Sequence, residues 1–311
     1  MKAVSMWFAV VALFVGCTSG RTEMKVTAWN VQTFFDSVND GTEYKEFASS
    51  KNWGHDAYRT RLERLCASMK KIDSDVFVLE EIENEHVVHD VAALLASDWN
   101  FRRHYHYACF AKQDGSAIGC AVLSRFPLEN ESVHGLYVHG AKEVMPPLRP
   151  LMQVTVLNGK HSIVLLVNHW KSKRGSDGCR SWRKRQEMVL GCRILALKDE
   201  NVIACGDFNQ DASEFVLASD GTVALQTFDA CTFMCRGTDS SEPNRCGTYF
   251  YKEEWSELDH ILYTKTVTAS NFHAETDGPW CNPETHVPYA YRVWTGNGYS
   301  DHLPVSCSVS F

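Results

Sequence analysis

The chain has 311 residues, 44% of them hydrophobic and 22% charged, the balance of an ordinary globular protein with one large domain or two small ones. Its 31 Lys and Arg against 38 Asp and Glu give a formal net charge of -7, which argues against binding nucleic acid through a broad basic surface. A nuclease is still compatible with that charge, because metal ions neutralise acidic groups in a site and make phosphate affinity local.

In chain order, residues 1–16 read as a targeting segment. Lys2 gives a positive start, and the apolar run Met6–Val15 is too short to span a bilayer. Leu13-Phe14-Val15-Gly16 before Cys17 resembles a bacterial lipoprotein signal. That resemblance implies cleavage after Gly16, lipid attachment at Cys17 and a tether over residues 17–23. The expected location is the bacterial cell envelope, lipid-anchored to a membrane, or the exterior if the chain is secreted without lipid. Export permits disulfides. Cys109, Cys179, Cys231, Cys235, Cys246 and Cys281 lie in polar or irregular stretches and are the disulfide candidates, whereas Cys66, Cys120, Cys192, Cys205 and Cys307 read as buried thiols. A zinc site from Cys231, Cys235 and Cys246 is the lesser alternative, since their spacing fits no usual finger.

From residue 24 onward, strand-like and helical runs interleave without a linker, repeat or low-complexity break. Strands are predicted at Met24–Trp29, Asp75–Leu79, Gly119–Leu123, Met152–Leu157, Ser162–Val167, Val202–Cys205, His260–Tyr263 and Leu303–Val309. Helical spacing joins Leu62, Leu65, Met69 and Ile72, then Val87, Val91, Leu94 and Leu95, and a third helix is predicted from Trp182 to Leu197. One α/β domain over residues 24–311 follows, expected to be a monomer. Long polar loops at 36–56, 171–181, 236–256 and 273–299 carry Tyr44, Trp53, Lys171, Lys173, Arg174, Trp255, Trp280 and Trp294, which suit a substrate rim or ordinary packing.

Short polar words end several apolar runs. Asn30 closes the first strand as a turn residue, a phosphate contact or a weak metal ligand. Glu81 follows the apolar run Val76–Leu79, where a carboxylate needs a hard cation or a salt bridge. Alternation points Glu80 to the opposite face, so Glu81 is the candidate ligand. Asn168-His169 ends another strand beside Lys171, Lys173 and Arg174, where His169 would donate to a phosphoryl or leaving oxygen. In Gly206-Asp207-Phe208-Asn209, glycine permits a sharp turn and one carboxylate emerges beside one amide, fit to orient water or simply to close an Asx turn. Asp259-His260 and Asp301-His302 each precede or open a strand. Asp259 would fix the tautomer of His302 and raise its pKa, while Asp301 would face a metal.

Together these words resemble the endonuclease/exonuclease/phosphatase superfamily, and Asn168-His169-Trp170-Lys171-Ser172-Lys173 is similar to a word of extracellular bacterial nucleases. The resemblance implies a four-layer αββα sandwich, two mixed sheets packed face to face with helices outside. By motif it implies a metal site at Glu81, Asn30 and Asp301, and catalytic roles for His302, Asp259, Asp207, Asn209, His169 and Asn168. Arg149 and Lys171 are the implied phosphate contacts. Glu80 stands where Gln is more common, and Trp170 where those nucleases carry Phe. The expected activity is Mg²⁺-dependent hydrolysis of DNA or RNA phosphodiesters, with Mn²⁺ or Ca²⁺ as alternative ions. The competing expectations are a phospholipid, sphingomyelin or inositol-phosphate hydrolase on the same fold, and a non-catalytic surface-binding lipoprotein.

Overall fold

The computed structural model describes residues 23–98, 100–136, 148–174, 178–238 and 247–311. The targeting segment, Cys17 and Cys246 lie outside them. Strand β1 (Glu23–Phe34) leads through a short helix, α1 (Lys45–Ala48), to α2 (His55–Ile72), β2 (Val76–Ile82) and α3 (Glu85–Asp98). Then β3 (Tyr107–Ala111), β4 (Gly119–Ser124), β5 (Leu128–His134), β6 (Leu151–Asn158) and β7 (His161–His169) precede α4 (Gly178–Ala196). The remainder holds β8 (Val202–Asp207), β9 (Val223–Gln226), β10 (Cys231–Arg236), β11 (Tyr249–Tyr251), β12 (Glu254–Ser256), β13 (Asp259–Tyr263), β14 (Thr268–Ala274) and β15 (Val305–Ser310).

Thirteen of these strands form two sheets, ordered β14-β15-β1-β2-β4-β3 and β5-β6-β7-β8-β13-β10-β9. Period-two alternation explains their packing. Val26, Ala28, Val76 and Val78 meet Ile163, Leu165, Val167, Ile203 and Cys205 in the core between the sheets. The intervening residues Trp29, Phe77 and Leu79 cover Leu62, Leu65 and Met69 of α2 and Val87 and Val91 of α3. On the far side, Val164, Leu166, Val202 and Ala204 pack on Leu190 and Ile194 of α4. The result is the expected αββα sandwich. Each sheet is mixed: β1 and β2 run parallel in one, β7 and β8 parallel in the other.

Every strand predicted from an apolar run is present. Those not predicted include the four sheet edges: β3, β5 and β14 have exposed residues that leave little hydrophobic pattern, and β9, though mostly buried, is only four residues long. The 236–256 stretch is not all loop, because β11 and β12 form a hairpin there. The disulfide expectation is corrected in part. Cys109 is a thiol buried between the sheets, and Cys281 is buried with its Sγ 3.1 Å from the Thr276 carbonyl. Cys179, Cys231 and Cys235 are thiols as well. Cys231 and Cys235 sit four residues apart on one strand, about 13 Å at a strand's rise per residue, too far to share a zinc ion.

Candidate active site

The carboxyl ends of β1, β2, β7 and β8 meet at one edge of the sandwich, and local irregularities there aim the polar residues. Asn30 shares the inter-sheet face with Val26 and Ala28 and is buried. Just beyond it the β1–β2 register shifts, with Gln32 and Thr33 in the left-handed region at φ 53° and 46°. The neighbouring strand breaks at the same level. Glu81 has φ 66°, and the β2–β4 register shifts between Glu80 and Ile82. Without that bulge Glu81 would point toward the helices. With it, the carboxylate turns to the strand end, and Oε2 accepts the Thr33 N–H at 2.6 Å while Oε1 accepts from Asn30 Nδ2 at 3.2 Å.

Arg61 of α2 holds the bulged β1 segment in place. Its guanidinium is buried and donates to the carbonyls of Val31 at 3.0 Å, Thr33 at 2.9 Å and Gln32. It lies 3.7 Å from the Tyr291 ring centroid and 4.5 Å from that of Phe34. Burial lowers its pKa to about 9, so it stays charged at neutral pH.

Asp207 ends β8 after Gly206, which adopts φ +123°. A Cβ at that glycine would lie 2.1 Å from the Asn168 carbonyl oxygen on the neighbouring strand β7 and 2.7 Å from Glu80 Oε1 in the facing sheet, so glycine is required here. The Asp207 carboxylate accepts from Asn30 Nδ2 at 3.1 Å, from Asn209 Nδ2 at 2.9 Å and from the Asn209 backbone at 2.7 Å. Burial pushes it up to about 7, with His302 pulling down and Asp259 adding to the rise. Asp259 pairs directly across from Asp207 between β13 and β8. Its Oδ2 lies 2.9 Å from His302 Nδ1, while His302 Nε2 lies 4.0 Å from Asp207 Oδ2. Burial opposes charge on His302, but Asp259, Asp207 and Asp301 outweigh it and hold the imidazole well above its ordinary pKa. The Tyr249 ring covers it at 4.8 Å between centroids.

His169 completes the cluster, with Nε2 3.7 Å from both Glu81 Oε1 and Asp207 Oδ2. Burial, with Arg149, His302 and Lys171 nearby, depresses its pKa, so it is a neutral imidazole whose buried Nδ1 has no protein partner. The cleft above has a volume of about 630 Å³ and is lined by Arg149, Lys171, Lys173, Arg174 and Asp301 with the rings of Tyr44, Tyr249 and Tyr251. Arg174 bonds to the Tyr249 hydroxyl, and Lys173 pairs with Glu214.

Eight of the expected residues therefore gather at this edge, and Arg149 and Lys171 flank them. Two roles change. Asn168 does not join the group: alternation turns it to the other face of β7 from His169, where it accepts from Trp170 Nε1 at 3.0 Å and donates to the Leu166 carbonyl. Asn30 offers its amide nitrogen, not its oxygen, to the carboxylates, because Oδ1 accepts the Gln32 N–H at 3.0 Å. Its Nδ2 thereby ties Glu81 to Asp207, at 3.2 and 3.1 Å. Glu80, set aside from the sequence, lies directly beneath the cluster on the inter-sheet face, buried, with neither oxygen hydrogen-bonded. Burial, then Asp259 and Asp207, drive its pKa well above the ordinary carboxyl value. Tyr249 and Tyr251 were not singled out because the hairpin that carries them reads as loop.

A folded-state pKa above the unfolded one means that Glu80 contributes fully below the unfolded carboxyl value, about 4.3, and loses that contribution as pH rises. Glu80→Gln should therefore raise Tm at pH 8 by a few degrees, with the gain shrinking toward pH 5. Thermal unfolding of both proteins across that range checks this, and a pH-independent difference would contradict it.

The sequence matches the model of the endonuclease/exonuclease/phosphatase family over residues 27–302, and the chain belongs to that family. It is thus a hydrolase of the phosphodiesterase and nuclease class. Its fold is similar to that of TDP2 from C. elegans, at 15% identity and a TM-score of 0.61 over 93% of this chain and 75% of that one. D. rerio TDP2, solved with a single-strand DNA product, is 16% identical with a TM-score of 0.58 over 93% of this chain and 100% of that one. A family member from Bacteroides thetaiotaomicron is 15% identical with a TM-score of 0.59 over 94% of this chain and 99% of that one. No curated protein is matched by the sequence.

Proposed function

We propose that this protein is an exported nuclease, lipid-anchored through Cys17, that cleaves phosphodiester bonds in DNA or RNA with a divalent cation, Mg²⁺ foremost. The observation that carries the chemistry is the buried His302–Asp259 pair at 2.9 Å beside Asp207, at the floor of a cleft with basic and aromatic walls. The donor set fits a hard cation. Glu81 is partly exposed to the cleft beside Asp301, and Asp207 and Asp259 concentrate further negative charge that one imidazolium does not balance. Glu81 would hold the ion, with Asp301 near it and Asn30 orienting the carboxylate. The cation would neutralise charge on the phosphate and stabilise the leaving oxygen.

The chain's own groups divide the remaining work. Asp207, fixed by Asn30 and Asn209, orients an attacking water and receives its proton, for which a value near 7 is well placed. Protonated His302 donates Nε2–H to a phosphoryl oxygen, its other nitrogen held by Asp259. His169, neutral, has Nε2 on the same cavity and serves as a second hydrogen-bond partner for the phosphate. Arg149, Lys171 and Arg174 offer positive charge to neighbouring phosphates, and Tyr44, Tyr249 and Tyr251 offer ring faces to bases. This mixture of charge and flat rings favours a nucleic acid strand over a lipid headgroup.

Assays with plasmid DNA, single-stranded DNA, RNA, sphingomyelin and inositol phosphates test the reading. Cleavage of nucleic acid should require Mg²⁺, stop with EDTA and fall about 10²-fold or more in Glu81→Gln. Release of phosphocholine or inorganic phosphate with no cut strand would replace the substrate, and activity indifferent to EDTA and to Glu81→Gln would reject the mechanism.

A further inference from the structure

Away from the cleft, a second group of carboxylates surrounds the turn that follows β1. One carboxylate oxygen from each of Asp40, Glu43 and Glu83 lies within 4.8 Å of the other two. Asp36, itself buried, adjoins them: its N–H donates to Glu83 Oε2, and its Oδ2 accepts from Asn84 at 3.0 Å. Among the described residues no lysine or arginine forms an ion pair with any of the four, and Lys112 acts on Asp40 only at longer range.

Acidic turns at a surface are common, and by itself this one would mean nothing. The exception is Glu83. It is fully buried, yet its Oε1 receives no hydrogen bond from any described residue. A buried carboxylate oxygen without a donor, beside three further carboxylates, is disfavoured in its charged form unless a proton or a cation completes the arrangement, and the convergence of four carboxylates around one turn favours the cation. The geometry points to a calcium site formed by Asp40, Glu43 and Glu83 with Asp36 beside them, separate from the catalytic centre. Calcium suits it because the donors are all oxygens and come from a pliable turn as well as from a rigid strand end. Magnesium demands near-ideal octahedral order. Bound there, the ion would tie the 36–44 turn to the end of β2 and so steady Tyr44, which lines the cleft.

Trp53 provides the probe, because its Nε1 donates to the Asp36 carbonyl at 2.9 Å and its indole is close enough to sensitise a lanthanide. The Glu81→Gln protein, in which the catalytic cation site is disabled, should show tryptophan-sensitised terbium luminescence that calcium displaces and that Trp53→Phe abolishes. Adding D40N and E43Q should remove the signal, and with it a calcium-induced rise in Tm of about 3 °C or more. Asp40 is exposed and Glu43 half-exposed, so both changes leave the core intact, and circular dichroism verifies the fold. Luminescence or a calcium shift that survives D40N and E43Q would overturn the site. Displacement by magnesium as effective as by calcium would overturn the choice of ion.

Discussion

Replacing His302 with alanine should lower kcat by about 10³-fold while leaving the protein folded. The imidazole is the group in the cleft floor best able to carry a proton at neutral pH, since Asp259, Asp207 and Asp301 together overcome the burial that opposes its charge. Asp259→Asn is the sharper experiment, because it keeps the shape and removes the charge. With the folded pKa of His302 raised, the protonated form persists through neutrality and is lost as pH climbs through that raised value. Its contribution to stability follows the same course, complete below the unfolded value near 6.5 and declining above it. In Asp259→Asn burial is opposed by much less, the pKa drops, and the alkaline limb of kcat/KM should move to lower pH along with a loss of about 10²-fold at neutrality. A pH–rate profile of both proteins decides it. An unmoved alkaline limb would mean that His302 is not the group that titrates.

Arg61→Met should cost about 3–5 kcal/mol of folding stability. Three backbone carbonyls, those of Val31, Gln32 and Thr33, would each lose a charged donor in a buried setting, and the ring of Tyr291 would lose the cation stacked 3.7 Å from it. The effect should also reach the chemistry. Those carbonyls belong to the segment whose Thr33 N–H grips Glu81, so the carboxylate should lose its fixed direction and metal affinity should weaken even where the variant is folded. Arg61→Lys should recover part of the stability, because it retains charge but lacks the planar fork that spans three acceptors. Urea unfolding, with metal titration at a temperature where each variant is native, separates the two effects. Undiminished metal affinity in folded Arg61→Met would break the link from α2 to the site.

Much of this centre was legible in the chain because its residues stand where apolar strands stop. Glu81, Asp207, Asp259 and His302 each close or adjoin such a run, and a polar side chain there has few roles in a packed sandwich. What stayed hidden depends on backbone geometry. Alternation correctly separated Glu80 from Glu81, but it could not reveal the left-handed turn at Glu81 that brings the second residue back to the edge while the first remains buried below. The same alternation, applied to Asn168 and His169, would have assigned them to opposite faces. Tyr249 was invisible for another reason: β11 and β12 are three residues each, too short for a periodic pattern, and Tyr249 reaches the site through its bridge to His302.

One further consequence comes from β1 lying between β2 and β15, the latter far along the chain. Asn30, Glu81 and Asp207 are synthesised before Asp259, Asp301 and His302, and β15 must insert beside β1 before the floor beneath them exists. A nascent polypeptide that ends short of β13 therefore carries the earlier half of the centre without its imidazole–carboxylate pair. The pocket is assembled only when these distant segments zip together.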